Sequence, residues 1–288
     1  MRLVVWLGPV LLAAAACSGG SDGAADGGED AQPALDGGGA DADAGVGADG
    51  GVDGAAPDTG ADSGTPKGPC SANKDKVGQT TRTIGNRTYL SYVPASYSPQ
   101  AAMPVVLALH GAGDVAQNYL QVIWKANADQ KGFIVIVPEG TSPVGNGFTW
   151  NTNDVAFIES TLDDMDRCYT LEPKKRIING FSAGGIMAYL IGVGDAQLFS
   201  GVSIASANLG SAEALNGGSL LPAAWKVPVS HFHGDQDMNF PIASAQAGIT
   251  KLQNAGHPTF WHPFSGGHTT NAGYAATMYD DLKGFSAP

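Results

Sequence analysis

The chain has 288 residues, 41 of them glycine, and sets 27 acidic against 15 basic side chains for a formal net charge of −12. That charge is concentrated: residues 18–66 hold −11 and residues 67–288 only −2, so no basic patch is available for nucleic acid. With the acidic stretch set aside, the remainder has the length of one large domain.

The first residues read "MRLVVWLGPVLLAAAAC". Arg2 is followed by a 14-residue apolar run, Leu3 to Ala16, and then by Cys17. Such a run is short for a membrane span and suits the core of a secretory signal. Cys17 behind alanines resembles a bacterial lipoprotein cleavage site, which would make it the lipid-bearing N-terminus of the mature protein and the only link to a membrane. Ordinary signal cleavage nearby is the alternative, and both imply export. Residues 18–66 contain 15 Gly, 11 Ala and 10 Asp, with no Lys, Arg or aromatic residue. A segment of this composition buries too little apolar surface to offset its ordering entropy and reads as a disordered tether. If Cys17 carries lipid, Cys70 and Cys168 remain as one pair in an oxidising compartment, where a disulfide is expected; two buried free thiols are the alternative.

From residue 84 short apolar runs alternate with longer amphipathic ones, the pattern of a mostly parallel sheet flanked by helices. "RTYLSYVP" reads as an early edge strand and "MPVVLALHG" as a buried strand. "VAQNYLQVIWKANADQKG" reads as a helix closed by Gly132, and "FIVIVPEG" as a second buried strand. Residues 153–166, capped by Asn153 or Asp154, place Val155, Ile158, Leu162 and Met165 on one helical face. Arg176 to Asn179 is a short strand, and an apolar helix starts by Ile186. "FSGVSIASA" and "KVPVSHFHGDQD" supply further strands, "SAQAGITKLQNAG" a helix, "PTFWHPF" the last strand, and residues 271–285 a closing helix. A single domain from Pro69 to Pro288 accommodates all of them.

Between the Arg176 strand and the Ile186 helix stands "NGFSAGG", a G-x-S-x-G match centred on Ser182. The same expression fits Ser21, so the pattern alone decides nothing in a glycine-rich chain. Only Ser182 has a strand before it and a helix after it, the context that lifts a nucleophile above the carboxyl end of a sheet. A serine hydroxyl needs a base, and the base an orienting acid. Downstream of Ser182, "HGDQDMNFPI" offers Asp235 and Asp237 after a strand, and "FSGGHTT" offers His268 after the last one.

Residues 70–288 resemble the secreted α/β-hydrolase esterases grouped with polyhydroxybutyrate depolymerases and feruloyl or acetylxylan esterases. The resemblance rests on "LALHGAGD", "TWNTNDVAFI", "RIINGFSAGGIMAY", "HGDQDMNFP", "GGH" and a cysteine ahead of the first strand. It implies an α/β-hydrolase fold, an ester substrate, small or polymeric, and a triad of Ser182, Asp237 and His268, with Asp235 a turn residue. The oxyanion hole would come from the N–H groups of Ala183 and of Ala112 in "HGAGD", with Gly113 next in line. His110 would shape that loop. Trp150 and Asn151 match a segment near the site in that family and are expected to line the pocket, unless Trp150 is only a packed aromatic. Where such proteins commonly carry tryptophan and proline after the histidine, this chain has Thr269 and Thr270. No metal-ligand spacing or dinucleotide fingerprint is present, so neither metal nor cofactor is expected. The competing expectation is a non-catalytic surface module that kept the fold.

Overall fold

The computed structural model describes residues 70, 72, 74–194 and 196–288. The apolar N-terminal run, Cys17 and the Asp-rich stretch lie outside the described residues. Among those described, no helix is long and apolar enough to cross a membrane.

In chain order the strands of the main sheet begin with β1 (Gly78–Ile84), β2 (Arg87–Val93), β3 (Met103–Leu109) and β4 (Ile134–Pro138). A separate hairpin follows, β5 (Ser142–Val144) and β6 (Gly147–Thr149). The sheet continues with β7 (Leu171–Phe181), β8 (Gly201–Ala205), β9 (Val229–Gly234) and β10 (Thr259–Phe264). The order across these eight strands is β1-β2-β4-β3-β7-β8-β9-β10. β2 runs antiparallel to β1 and β4; every other neighbour is parallel. After β3 the chain crosses to β4 on one side, and after β7 it crosses to β8 on the other. The carboxyl ends of β3 and β7 therefore flank the point where the winding reverses, which is where open α/β sheets leave a crevice.

The strands between β2 and β9 are apolar on both faces because helices cover both. Val105, Leu107 and Leu109 of β3 point into one core with Ile178, Val202 and Ile204. Closing it are α3 (Val155–Cys168), α4 (Ala183–Gly194), α5 (Leu209–Asn216) and α6 (Ile242–Asn254). Val106 and Ala108, one residue out of phase, point into the opposite core. There they meet α1 (Ala116–Tyr119), the π-helical turn Leu120–Trp124, α2 (Lys125–Lys131) and α7 (Ala272–Leu282). The expected helix ending at Gly132 is thus present, with a π turn in its middle.

Two readings need correction. The edge is β1, and "RTYLSYVP" is the second strand in. β7 runs from Leu171, since Met103 pairs with Leu171 ahead of a register shift, so the strand is much longer than Arg176 to Asn179. Asp154, one of the two caps expected, is the N-cap of α3, and the 3-10 turn ahead of it is capped by Asn151, whose side chain accepts from Asn153 N–H at 2.9 Å while Asp154 accepts from Asn151 N–H at 2.9 Å, a reciprocal capping box.

Cys70 and Cys168 form a disulfide across 98 residues. In the chain-entropy account a loop of that length stabilises by about 4–5 kcal/mol. Arg82 of β1 is buried beside it, donating to Cys168 Sγ at 2.9 Å, to Ser91 Oγ at 2.9 Å and to the Tyr169 hydroxyl at 2.8 Å.

Candidate active site

Ser182 sits between β7 and α4 with φ 54, in the left-handed region that a side chain rarely adopts. Its N–H donates to Ala205 O at 3.0 Å and its carbonyl accepts from Ile186 N–H at 3.1 Å, so the strained turn is held from the neighbouring strand and from the helix it starts. The side chain is left partly exposed. A glycine is required at 184, because a Cβ there would overlap the carbonyl oxygens of Leu109 and His110; this close approach brings the end of β3 against the first turn of α4.

His268 and Asp237 arrive on loops after β10 and β9. His268 Nδ1 lies 2.8 Å from Asp237 Oδ2. The other carboxylate oxygen accepts from Asn239 N–H and Phe240 N–H, both at 2.9 Å, which fixes the carboxylate plane. Nε2 of the imidazole is the nitrogen left over. The ring stands between Phe181, the residue before Ser182, at 5.0 Å and Phe240 at 5.7 Å between centroids. Asp235 stands two residues before Asp237 on the same loop. Its carboxylate accepts from Gly266 N–H at 3.0 Å, while Gln236 N–H donates to Gly266 O at 2.8 Å, stitching the acid loop to the histidine loop.

Behind Asp237 lies a chain of buried polar groups. His231 and His233 are two apart on β9 and so share a face. His233 Nε2 is 2.7 Å from Phe240 O, and a carbonyl can only accept, which puts the proton on Nε2. Nδ1 then accepts from His231 Nε2 at 3.1 Å, and His231 Nδ1 accepts from the Tyr189 hydroxyl at 2.8 Å. Burial holds His231 well below the ordinary histidine range and lowers His233 as well. Both rings are held in a structural network and neither competes for the role of base.

The loop after β3 supplies the facing wall. Gly113 N–H donates to Phe148 O at 2.9 Å, and Phe148 N–H returns to Asp114 O at 3.0 Å, so the β5–β6 hairpin is hydrogen-bonded onto this loop. Gly113 is thereby spent as a donor. Among the described residues nothing accepts the Ala112 N–H. Ala183 opens α4, and its N–H has no acceptor one turn back in the helix. His110 is fully buried, with Nδ1 2.9 Å from Gly111 O and Nε2 3.1 Å from Glu139 Oε1. Trp150, also fully buried, donates from Nε1 to His110 O at 2.8 Å. Asn151 donates to Ser142 Oγ at 3.0 Å and caps the 3-10 turn Thr152–Asp154 that leads into α3. Trp150 is thereby engaged in supporting the loop, and Asn151 in the turn that leads into α3.

The sequence reading passed over Phe181, Phe240 and Ser206, whose contacts come from residues distant along the chain. Among the described residues no group of three or more His, Cys, Asp or Glu is arranged to hold a metal ion.

Comparison with known proteins follows the same lines. The Esterase family profile ("Putative esterase") matches residues 80–285. The chain is 28% identical over 148 residues, 51% of its length, to a bifunctional acetylxylan esterase/xylanase of Neocallimastix patriciarum. It is 29% identical over 140 residues, 42% of its length, to a poly(3-hydroxybutyrate) depolymerase of Ralstonia pickettii. Feruloyl esterase C of Emericella nidulans is 27% identical over 175 residues, 58% of the chain. The matches span 21%, 29% and 60% of those relatives' own lengths. Among solved structures, a ferulic acid esterase superposes with TM-score 0.57 at 18% identity over 74% of this chain and 98% of that one. A ferulic acid esterase from Anaeromyces mucronatus gives 0.55 at 17% over 77% and 94%. With the profile covering nearly all of the described residues on an α/β-hydrolase fold, the chain belongs to the Esterase family.

Proposed function

We propose that residues 69–288 are a serine carboxylesterase working through an acyl-enzyme at Ser182. The observation that carries this reading is the 2.8 Å contact of His268 Nδ1 with a buried, doubly anchored Asp237, in a ring packed on the residue before a left-handed serine. His268 Nε2 takes the Ser182 hydroxyl proton as Oγ bonds to the ester carbonyl carbon. The N–H groups of Ala183 and Ala112 hold the oxygen that becomes negative. The C–O bond to the alcohol breaks, and the alcohol leaves with the proton held by His268. Water then repeats the sequence on the acyl-enzyme and releases the acid. Asp237 keeps the imidazole in the needed tautomer and stabilises its cation. Trp150 supports the oxyanion loop through its bond to His110 O, and Asn151 caps the turn into α3.

Poly(3-hydroxybutyrate), acetylxylan and feruloyl esters are named among the relatives, and we assign to this chain polyhydroxybutyrate-type oligoesters or feruloyl and acetyl esters of polysaccharides. The apolar N-terminal run and the Cys70–Cys168 disulfide support an extracytoplasmic location. We place lipid on Cys17 and read residues 18–66 as a spacer. Turnover of p-nitrophenyl acetate or butyrate that stops in Ser182→Ala, with the circular dichroism spectrum kept, is the expected result, and labelling of Ser182 by a fluorophosphonate should accompany it. Undiminished turnover in Ser182→Ala sinks the reading.

A further inference from the structure

We propose that Ser206, the residue directly after β8, is a positioning residue whose hydroxyl sets His268 against Ser182; the inference rests on the esterase reading above. Three described residues other than glycine have positive φ: Asp75, Ser182 at 54° and Ser206 at 49°. Two of the three therefore stand at the carboxyl ends of adjacent strands, and one of them is the nucleophile. Glycine would take the conformation at 206 without strain, so a serine there needs a reason that lies in its side chain.

That side chain makes a two-way clasp. Ser206 Oγ donates to Thr269 O at 3.0 Å and accepts from Thr269 N–H at 3.3 Å, gripping both backbone groups of the residue after His268. A hydroxyl is the small group that donates and accepts through one atom. Ser206 is fully buried while Thr269 is exposed, so the clasp reaches from the interior to a loop at the surface.

The neighbouring residue supplies the second half of the device. Ala205 O accepts the Ser182 N–H at 3.0 Å, and Ser206 N–H is tied to Phe232 O of β9 at 3.0 Å. One dipeptide thus holds the nucleophile turn through its backbone and the base loop through its side chain. Asp237 fixes the rotation of the His268 ring, and Asp235 pins the loop upstream at Gly266. The clasp at Thr269 is the downstream pin, and it refers the loop to the strand that carries Ser182.

Ser206→Gly and Ser206→Ala test this in the full chain, with p-nitrophenyl butyrate turnover measured well below each melting temperature. Glycine removes the clasp and also the strained φ, so its melting temperature should equal or exceed that of the wild type. Its kcat should nevertheless fall roughly 10- to 100-fold, the scale of a misplacement near 1 Å, with KM within about twofold. Alanine should show the same kcat loss without the gain in stability, and the rate of Ser182 labelling by a fluorophosphonate should fall with it. A variant with wild-type kcat overturns the proposal, as does a loss expressed wholly in KM. Ser182→Ala is run alongside: turnover surviving there counts against the esterase reading, whereas turnover abolished there but intact in both Ser206 variants counts against Ser206 alone.

Discussion

His233 donates to the carbonyl of Phe240 at 2.7 Å, and the N–H of the same Phe240 donates to Asp237 at 2.9 Å, so a buried ring holds the turn that presents the acid. That ring must stay neutral as built. Burial lowers His231, His233 and His257, with the Phe240 carbonyl and Asp237 pulling His233 the other way and Val227 O doing so for His257. In the unfolded chain these histidines protonate near the ordinary value of about 6.5. Below that pH the unfolded state binds more protons than the folded one, so stability falls as the pH falls through the window. Each such ring steepens the slope by up to about 1.4 kcal/mol per pH unit. Urea midpoints across a pH series should be flat above about pH 7 and decline below it; midpoints that rise on acidification refute the account.

The two aspartates of "HGDQD" should separate cleanly. Asp237→Asn keeps the shape but removes the charge facing His268, and a fall in kcat on the order of 10⁴-fold is expected. Asp235→Ala removes the acceptor for Gly266 N–H. Its kcat should stay within about tenfold, the loss falling mainly on stability, at about 1 kcal/mol. Steady-state kinetics and thermal melts on both variants check this, and an Asp235 variant as impaired as Asp237→Asn would reverse the assignment.

Gly147→Ala should damage catalysis from a distance. A Cβ at 147 would meet the Asp114 carbonyl oxygen and lie 2.5 Å from that of Gly113, driving the hairpin off the loop that carries Ala112. The expected loss in kcat approaches the roughly 100-fold that removal of one oxyanion donor costs. Wild-type rates in that variant would mean the hairpin does not hold the loop.

Cys70→Ser should lower the unfolding free energy by about 4–5 kcal/mol, the closure entropy of a long loop. Guanidinium denaturation of the variant, and of the wild type with and without reductant, measures it. Equal midpoints in all three samples would contradict that entropy account.

The buried strands and the order of the site residues were legible because they depend on local pattern. Strands β3 and β4 announce themselves by unbroken apolar runs, and Ser182 by its place between a strand and a helix. β1 was missed for a physical reason: the one fully inward residue of "GQTTRTI" is Arg82, so the strand shows no apolar alternation. The β5–β6 hairpin was missed because strands of three residues carry no period. The preference for Ala112 over Gly113 could not be settled from spacing, since it turns on whether Phe148 O claims the Gly113 N–H. Ser206 gave no signal at all; its partner is 63 residues downstream.

The disulfide has a mechanical side. Cys70 is joined to Cys168 at the end of α3, so a force pulling the chain from any point before Cys70 enters the domain through that covalent bond. The 98-residue span it closes, holding β1 to β4 and α1 to α3, is bypassed by the load. β1 is an edge strand and would otherwise be the first to peel, yet it carries no tension. Stretching between the termini under oxidising conditions must therefore open the domain from β7 onward, on the half that carries Ser182, Asp237 and His268, while the N-terminal half of the sheet stays off the load path.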